Sequence, residues 1–424
     1  MRYGLLGETL KHSFSPQIHA AFGIPDYEIA ELSKEELDIL LRQKTFQGVN
    51  VTIPYKEAVI PYCVQDDVSK TIGSVNTIVN RDGTLYAYNT DCLGFLYMTN
   101  VAGISFTGKK VAILGSGGTA KTAVYVAREE QASEIVVVSR SRNQISEVFK
   151  EVETADYFHP ELFADAQIIV NTTPLGMYPN VDTKALDLSS FAKAEAVVDV
   201  VYNPLRTKLT LQAQALGLKC TNGLPMLVAQ AYFAQRYFKG EEPKVKDDDE
   251  NLLQTVISAI EKQVRNVVLI GMPGSGKSTI GKLLAERLGC AFVDSDEAFT
   301  RKEGITPENY ILTHGEAAFR DAESAVIKEL TKEKSQVIAT GGGSVLREEN
   351  RLAMRQNGVI VYLERELCKL ATDNRPLSSD MDKLNKLYET RHPIYVNLAD
   401  VSVEVKEGDV QAMAQEVLFL LESL

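Results

Sequence analysis

With 424 residues the chain is too long for one ordinary domain and comfortable for two or three. Its 45% apolar and 24% charged residues are the balance of folded globular protein, which excludes a disordered chain. A net charge of −12 argues against nucleic acid as a partner, and no run of 18 apolar residues is present to span a membrane. Five scattered cysteines (Cys63, Cys92, Cys220, Cys290, Cys368) form no CxxC pair, and the five histidines form no HExxH. That pattern predicts reduced thiols in a cytoplasmic protein and no protein-ligated transition metal. The opening segment, Met1 to Gly7, has neither the apolar core of a signal peptide nor the Arg/Ser richness of a transit peptide.

Strand-like runs at 2–7, 48–53, 111–114, 135–139, 168–171 and 197–201 alternate with helical spacing, the rhythm of an α/β fold with parallel strands. Four polar segments punctuate the first hundred positions: Ser13-Phe14-Ser15-Pro16, Asn50-Val51-Thr52-Ile53-Pro54-Tyr55-Lys56, Ser74-Val75-Asn76-Thr77 and Asn89-Thr90-Asp91. The third strand then runs into Gly115-Ser116-Gly117-Gly118-Thr119-Ala120, a G-x-G-x-x-A dinucleotide turn followed by a helix through Val124 and Ala127. The next strand ends in Ser139-Arg140-Ser141-Arg142. An NAD enzyme usually carries Asp or Glu there to hold the ribose hydroxyls, whereas arginines and small hydroxyls suit a 2′-phosphate, so the cofactor is expected to be NADP(H). Two further segments follow, Asn171-Thr172-Thr173-Pro174-Leu175-Gly176-Met177 and Gly223-Leu224-Pro225-Met226-Leu227-Val228-Ala229-Gln230.

Six of these motifs, in this order over residues 1–240, resemble shikimate dehydrogenase. The resemblance implies a substrate-binding α/β domain over 1–103 and a Rossmann NADP-binding domain over 104–240, whose last helices return to the substrate domain. It implies reduction of 3-dehydroshikimate to shikimate, with Ser13 and Ser15 donating to the substrate carboxylate. Asn76, Asn89 and Gln230 would bond the ring hydroxyls, Thr52 and Tyr202 would support them, and Lys56 and Asp91 would be the catalytic pair. Thr172 and Gly223 would join Gly115, Gly117, Gly118 and Ala120 at the cofactor. Reducing a ring ketone with a hydride requires a proton for the developing alkoxide, and an ammonium beside a carboxylate can supply it without a metal. Which of the two moves the proton stays open. The short span between Ala21 and the strand starting at Tyr27 predicts a trimmed substrate domain.

Lys239-Gly240-Glu241-Glu242-Pro243 and Asp247-Asp248-Asp249-Glu250 form a charged run with breakers, read as a linker over 241–264 whose end, 252–264, has helical spacing. A buried strand at 267–270 then opens Gly271-Met272-Pro273-Gly274-Ser275-Gly276-Lys277-Ser278, a full GxxxxGK[ST]. Ile280, Leu283, Leu284 and Leu288 space as one face of a helix that stops at Gly289. This is a P-loop for ATP: Gly271, Gly274, Gly276 and Thr279 belong to the phosphate cradle, Lys277 reaches the β/γ phosphates, and the Ser278 hydroxyl ligates Mg²⁺.

Further strands are expected at 291–293, 336–340 and 359–363. Asp294-Ser295-Asp296 closes the first of these and Gly341-Gly342-Gly343 the second; Arg320, Arg375 and Arg391 lie in Ala318-Phe319-Arg320-Asp321, Asn374-Arg375-Pro376-Leu377 and Thr390-Arg391-His392-Pro393. In this order over 266–405 the set resembles shikimate kinase, which implies a P-loop three-layer α/β/α domain with a parallel sheet over 265–424. The resemblance casts Asp294 as support for Mg²⁺ and Asp296 as partner of the acceptor hydroxyl. Arg320 and Arg391 would hold the substrate carboxylate, Gly341, Gly342 and Gly343 would line the ring hydroxyls, and Arg375 would be a lid arginine. Phosphoryl transfer needs positioning and positive charge, and a carboxylate needs forked donors. The stretch 364–375 departs from the family in being short, with Ala371-Thr372-Asp373 where more basic residues are usual, which bears on the adenine side and the lid.

Together the two halves predict a bifunctional enzyme in which the product of one site, shikimate, is the substrate of the other. Its partners are these small molecules, with neither nucleic acid nor membrane; oligomeric state is not legible. The rivals are an NAD-using quinate/shikimate dehydrogenase and a ligand-sensing regulator without turnover.

Overall fold

The computed structural model describes the chain except for residues 11–12, 142–148, 150, 246–248, 371–380, 407–408 and 424. It forms two compact units, one of Met1–Met177, Asp182–Tyr202 and Gln212–Ile260, the other of Tyr178–Val181, Asn203–Leu211 and Glu261–Leu424.

The first unit holds two six-stranded sheets. In the first, β1 (Tyr3–Gly7), β2 (Tyr27–Glu31), β3 (Gly48–Val51), β4 (Val64–Gln65), β5 (Thr77–Arg81) and β6 (Thr84–Tyr88) lie in the order β2-β1-β3-β5-β6-β4. The parallel pattern expected from the alternation holds for β1 with β2 and β3 but not throughout, because β5 runs antiparallel to both β3 and β6. The cause is local: Asp82 and Gly83 both take positive φ (52° and 83°) between Arg81 and Thr84, a two-residue turn that reverses the chain. The third strand also ends earlier than 53, since Ile53 precedes Pro54 and is 76% exposed.

The second sheet contains β7 (Lys110–Leu114), β8 (Glu134–Ser139), β9 (Glu153–Asp156), β10 (Ile168–Asn171), β11 (Ala196–Asp199) and β12 (Lys219–Thr221), all parallel in the order β12-β11-β10-β7-β8-β9. This is the doubly wound dinucleotide-binding order, and the strand order reverses between β7 and β10. Leu114 pairs with Asn171 there, so Gly115 and Thr172 emerge side by side at the carboxyl ends. The helices Asp91–Val101 and Leu224–Phe238 pack closely because Gly94 has no side chain: a Cβ there would lie 2.7 Å from the Met226 carbonyl and 3.0 Å from Gln230 Cβ.

The second unit is built on β13 (Asn266–Ile270), β14 (Ala291–Asp294), β15 (Gln336–Ala339), β16 (Gly358–Glu364) and β17 (Val401–Glu404), in the parallel order β14-β15-β13-β16-β17. Every residue of β13 is buried. Val267 and Leu269 join one core with Ile280, Leu284 and Val417, while Val268 and Ile270 join a second with Met354, Leu384 and Tyr395. The two faces of one strand thus feed two apolar layers, the helix–sheet–helix sandwich that a continuous hydrophobic strand demands.

The expected helix after the P-loop is Lys277–Leu288, ended by Gly289 in the left-handed conformation. Of its apolar face, Ile280 and Leu284 are buried but Leu288 is 44% exposed. The helical stretch read at the end of the linker is Glu250–Val264, with Asp249 Oδ1 accepting from the Leu252 N–H at 3.1 Å as its cap.

Candidate active sites

In the first unit the helix Asp91–Val101 starts at Asp91, and the turn after β3 carries Lys56. Lys56 Nζ lies 2.6 Å from Asp91 Oδ2, with side-chain exposures of 23% and 13%, so the couple is reachable but largely shielded from water. Asn76 Nδ2 donates to Asp91 Oδ1 at 2.9 Å, while Asn76 Oδ1 accepts from the Thr90 N–H at 2.7 Å. The bond from Asn76 orients the carboxylate through its second oxygen and leaves Oδ2 to Lys56. Cys92, next in sequence, is kept neutral because burial pushes its thiol up to about 12.

Asn89 donates to the Ser74 carbonyl at 2.9 Å, and its buried Oδ1 accepts nothing among the described residues. An orphaned buried acceptor is costly unless a ligand hydroxyl satisfies it, so Asn89 fits a hydroxylated substrate. Gln230 reaches the same helix pair through its contact with Gly94, and its Nε2 donates to the Leu227 carbonyl at 2.9 Å. Ser13 and Ser15 form a separate group, Oγ to Oγ at 3.1 Å, and Phe14 between them meets Tyr202 edge-on at 6.3 Å. Thr52 closes the end of β3, its N–H donating to the Leu6 carbonyl at 2.9 Å.

The dinucleotide turn sits beside this network. A Cβ on Gly118 would lie 3.8 Å from Ser74 Oγ, and Lys121 on the same helix pairs with Glu57 at 2.8 Å. Gly115 has φ +109°, and a Cβ there would meet Thr172 Oγ1 at 2.6 Å, so only glycine fits. Thr172 in turn donates from Oγ1 to the Leu114 carbonyl at 2.7 Å. Around Gly117 a Cβ would meet nothing within 4 Å, which leaves room for a pyrophosphate at the N-terminus of the helix Gly118–Glu129. Ala120 is fully buried under that helix, and Gly223 passes so close to Val200 that a Cβ would lie 1.9 Å from its carbonyl oxygen. Ser139 and Ser141 are partly exposed and Arg140 is exposed at the end of β8. Arg142 lies outside the described residues.

The second unit encloses a cavity of about 720 Å³. It is lined by Gly274, Gly276, Lys277, Ser278 and Thr279 of the P-loop, by Asp294 and Asp296, and by Arg320, Gly341, Gly342, Gly343 and Arg391. Gly271 stands behind the loop, where a Cβ would lie 2.6 Å from the Leu363 carbonyl. Lys277 is buried and its Nζ holds the Gly271 and Met272 carbonyls at 2.9 Å each. Ser278 Oγ donates to Asp294 Oδ2 at 2.6 Å, and Asp294 Oδ1 accepts from the Asp296 N–H at 2.9 Å. A converging hydroxyl and carboxylate are hard oxygen donors of the kind Mg²⁺ uses alongside phosphates and water. No cluster of three or more His, Cys, Asp or Glu occurs among the described residues.

Two buried arginines line this cavity. Arg320 bonds Glu323 at 2.7 Å and Glu316 at 3.2 Å; burial works against its charge, but these carboxylates win and hold its pKa above the ordinary value. Arg391 is 4% exposed. Burial pulls its pKa down and the charge of Arg320 lowers it further, against the raising pull of Tyr395 and of the Glu323 carboxylate. A buried cation pressed by a second cation is the electrostatic demand that an anionic ligand meets. Arg375 lies outside the described residues.

Sequence reading missed three members of this site. Glu323 fixes the Arg320 fork and accepts from Ser344 Oγ at 2.7 Å; its i+3 spacing from Arg320 was the available signal. Tyr395 stands at i+4 from Arg391 and donates to the Gly342 carbonyl. Arg365 lines the cavity and donates to the Gly274 carbonyl at 3.1 Å, a contact with no local signature.

Comparison with known proteins finds a relative for each half of the chain. The family model "Shikimate dehydrogenase substrate binding domain" matches residues 5–78, and "Shikimate kinase" matches residues 273–422. A shikimate dehydrogenase (NADP(+)) of Clostridium perfringens is 37% identical over 249 residues, covering 56% of this chain and 92% of that protein. One of Geobacillus kaustophilus is 34% identical over 276 residues, covering 61% and 99%. Among solved structures, shikimate 5-dehydrogenase of Thermus thermophilus in complex with NADP(H) and shikimate is 30% identical with a TM-score of 0.54, covering 61% of this chain and 99% of that one. A quinate dehydrogenase of Corynebacterium glutamicum in complex with NAD is 29% identical, TM-score 0.53, with the same coverage. The chain belongs to the shikimate dehydrogenase family and carries, after that part, a shikimate kinase domain.

Proposed function

We propose that this chain catalyses two consecutive steps of the shikimate pathway: reduction of 3-dehydroshikimate to shikimate with NADPH, then MgATP-dependent phosphorylation of shikimate to shikimate 3-phosphate. The observation that carries the reading is the pairing, in one chain, of a shielded Lys56–Asp91 couple beside a dinucleotide turn with a P-loop cavity lined by two arginines. Both polar sets suit one small polyhydroxylated acid.

In the first step NADPH supplies the hydride. Lys56 and Asp91 hold the proton for the new hydroxyl, Asn76 fixes the carboxylate, and Asn89 and Gln230 read ring hydroxyls, with Ser13 and Ser15 on the substrate carboxylate and Thr52 and Tyr202 in support. Missing hydroxyls would leave buried amides unmet, which gives such a site its discrimination. Arg140, with Ser139, Ser141 and Arg142, selects the 2′-phosphate.

In the second step ATP supplies the phosphoryl group; Ser278 and Asp294 would hold Mg²⁺, which would offset the phosphate charge. Lys277 stabilises the β/γ phosphates, Asp296 orients the acceptor hydroxyl, and Arg320 and Arg391 anchor the carboxylate. Arg375 completes the site as the lid arginine. The functional segments are 1–103, 104–240, 241–264 and 265–424. None of the described helices is long and apolar enough to cross a membrane; the scattered cysteines suit the cytoplasm.

A coupled assay with 3-dehydroshikimate, NADPH and MgATP tests the whole reading. NADPH oxidation followed by a phosphorylated acid is expected. Absence of either product removes the corresponding half. The likeness to a quinate dehydrogenase with NAD raises the alternative cofactor, and a steady-state preference for NADH would reject the role given to Arg140.

A further inference from the structure

Tyr395 lies one helical turn after Arg391 on the helix Met381–Leu398, so both side chains leave the same face. It is fully buried, and its ring stacks on Tyr362 with centroids 5.2 Å apart. Its Oη donates to the Gly342 carbonyl at 2.5 Å, which commits its one hydrogen to that loop.

One hydrogen bond therefore ties the helix that carries Arg391 to the backbone of the glycine loop after β15. The tie also sets a direction. In a planar trans peptide the carbonyl of Gly342 and the N–H of Gly343 point to opposite sides. Tyr395 holds the carbonyl from behind the loop, so the Gly343 N–H is turned toward the cavity that Gly342 and Gly343 line. No acceptor among the described residues takes that N–H.

We propose that Tyr395 is a positioning residue for the phosphoryl acceptor, holding the glycine loop so that the Gly343 N–H meets the molecule that Arg391 binds. The inference rests on the reading of this cavity as the shikimate site. It goes beyond that reading in giving the aim of a backbone donor to a side chain that does not itself line the cavity.

The test uses the full chain with Tyr395→Phe, which keeps the stacked ring and removes only the hydroxyl, beside Arg391→Lys. Shikimate and ATP KM values, kcat, shikimate Kd by calorimetry without nucleotide, and Tm are measured for each. For Tyr395→Phe the shikimate KM and Kd should rise about tenfold, the change expected when a hydrogen bond to a charged group is lost. ATP KM should stay within about twofold, with Tm and NADPH oxidation unchanged. A shikimate KM within about twofold of the parent, while Arg391→Lys raises it at least tenfold, overturns the role of Tyr395 and leaves the site assignment standing. If Arg391→Lys also leaves shikimate binding untouched, the assignment of the cavity itself falls. A rise in both KM values together with a lower Tm overturns the proposal as well, because loosened packing would account for it.

Discussion

Gly343→Ala tests the clamp proposed for the substrate carboxylate. Gly343 has φ −95° and ψ −7°, a conformation alanine adopts without strain, so the substitution acts through its methyl group alone. A Cβ there would lie 2.5 Å from both Nη1 and Nη2 of Arg320 and 2.7 Å from its Cζ. Comfortable contact needs about 3.5 Å, so the guanidinium must retreat by roughly 1 Å. It has little freedom to do so, being 9% exposed and held by Glu323 at 2.7 Å and Glu316 at 3.2 Å. The retreat takes the fork off a carboxylate in the cavity, costing about 1.5–3 kcal/mol for a charged hydrogen bond. That predicts a shikimate KM raised roughly 10- to 150-fold. Stability should change little, since Gly→Ala at a permitted φ gains about 0.4–1 kcal/mol through the unfolded chain and offsets part of the disturbance. Initial rates of ADP release, with shikimate and ATP varied separately, provide the assay; ATP KM and NADPH oxidation should match the parent. A folded Gly343→Ala protein with the parental shikimate KM would refute the placing of Arg320 on the substrate.

Lys277→Ala should lower phosphorylation at least about 100-fold while leaving NADPH oxidation intact, and Lys56→Ala should do the reverse, by about 10²–10⁴-fold, each read in single-activity assays. Arg140→Ala should raise the NADPH KM about 10-fold or more with the NADH KM unchanged; equal effects on both would reject a 2′-phosphate contact. His19 is fully buried, stacked on Tyr27 at 3.8 Å, and burial lowers its pKa to about 3 from 6.5. The unfolded chain therefore binds a proton that the fold does not, so this histidine costs nothing above pH 6.5 and removes stability as pH falls from 6.5 toward 3. Between pH 6.5 and 5, before most carboxylates titrate, the loss is about 2 kcal/mol at 1.36 kcal/mol per unit. Urea melts of the parent and of His19→Gln should show that slope only in the parent, and identical slopes would exclude His19 as its source.

The candidate sites were legible where function lies in short stretches of backbone. The P-loop and the G-x-G-x-x-A turn name themselves because their glycines answer to local needs, such as φ +109° at Gly115 under Thr172 Oγ1. The charges at Arg320 and Arg391 were legible as residue types in order. Asp82-Gly83 was an available turn signal, and reading it would have anticipated the antiparallel β5 and β6.

Sequence by itself determined the two nucleotide turns, the alternating α/β rhythm and the identity of the charged groups, because each depends on residues within a few positions of one another. Tertiary structure decided how those groups are aimed. Lys56 meets Asp91 across 35 positions at 2.6 Å, and Asn76 reaches that carboxylate from a third segment. Ser344, Glu323 and Arg320 form one buried chain of bonds, and Tyr395 ties its helix to the Gly342 carbonyl. Such contacts arise when strands and helices pack and bury polar atoms that must then find partners, and which partner comes within reach is a property of the packed fold.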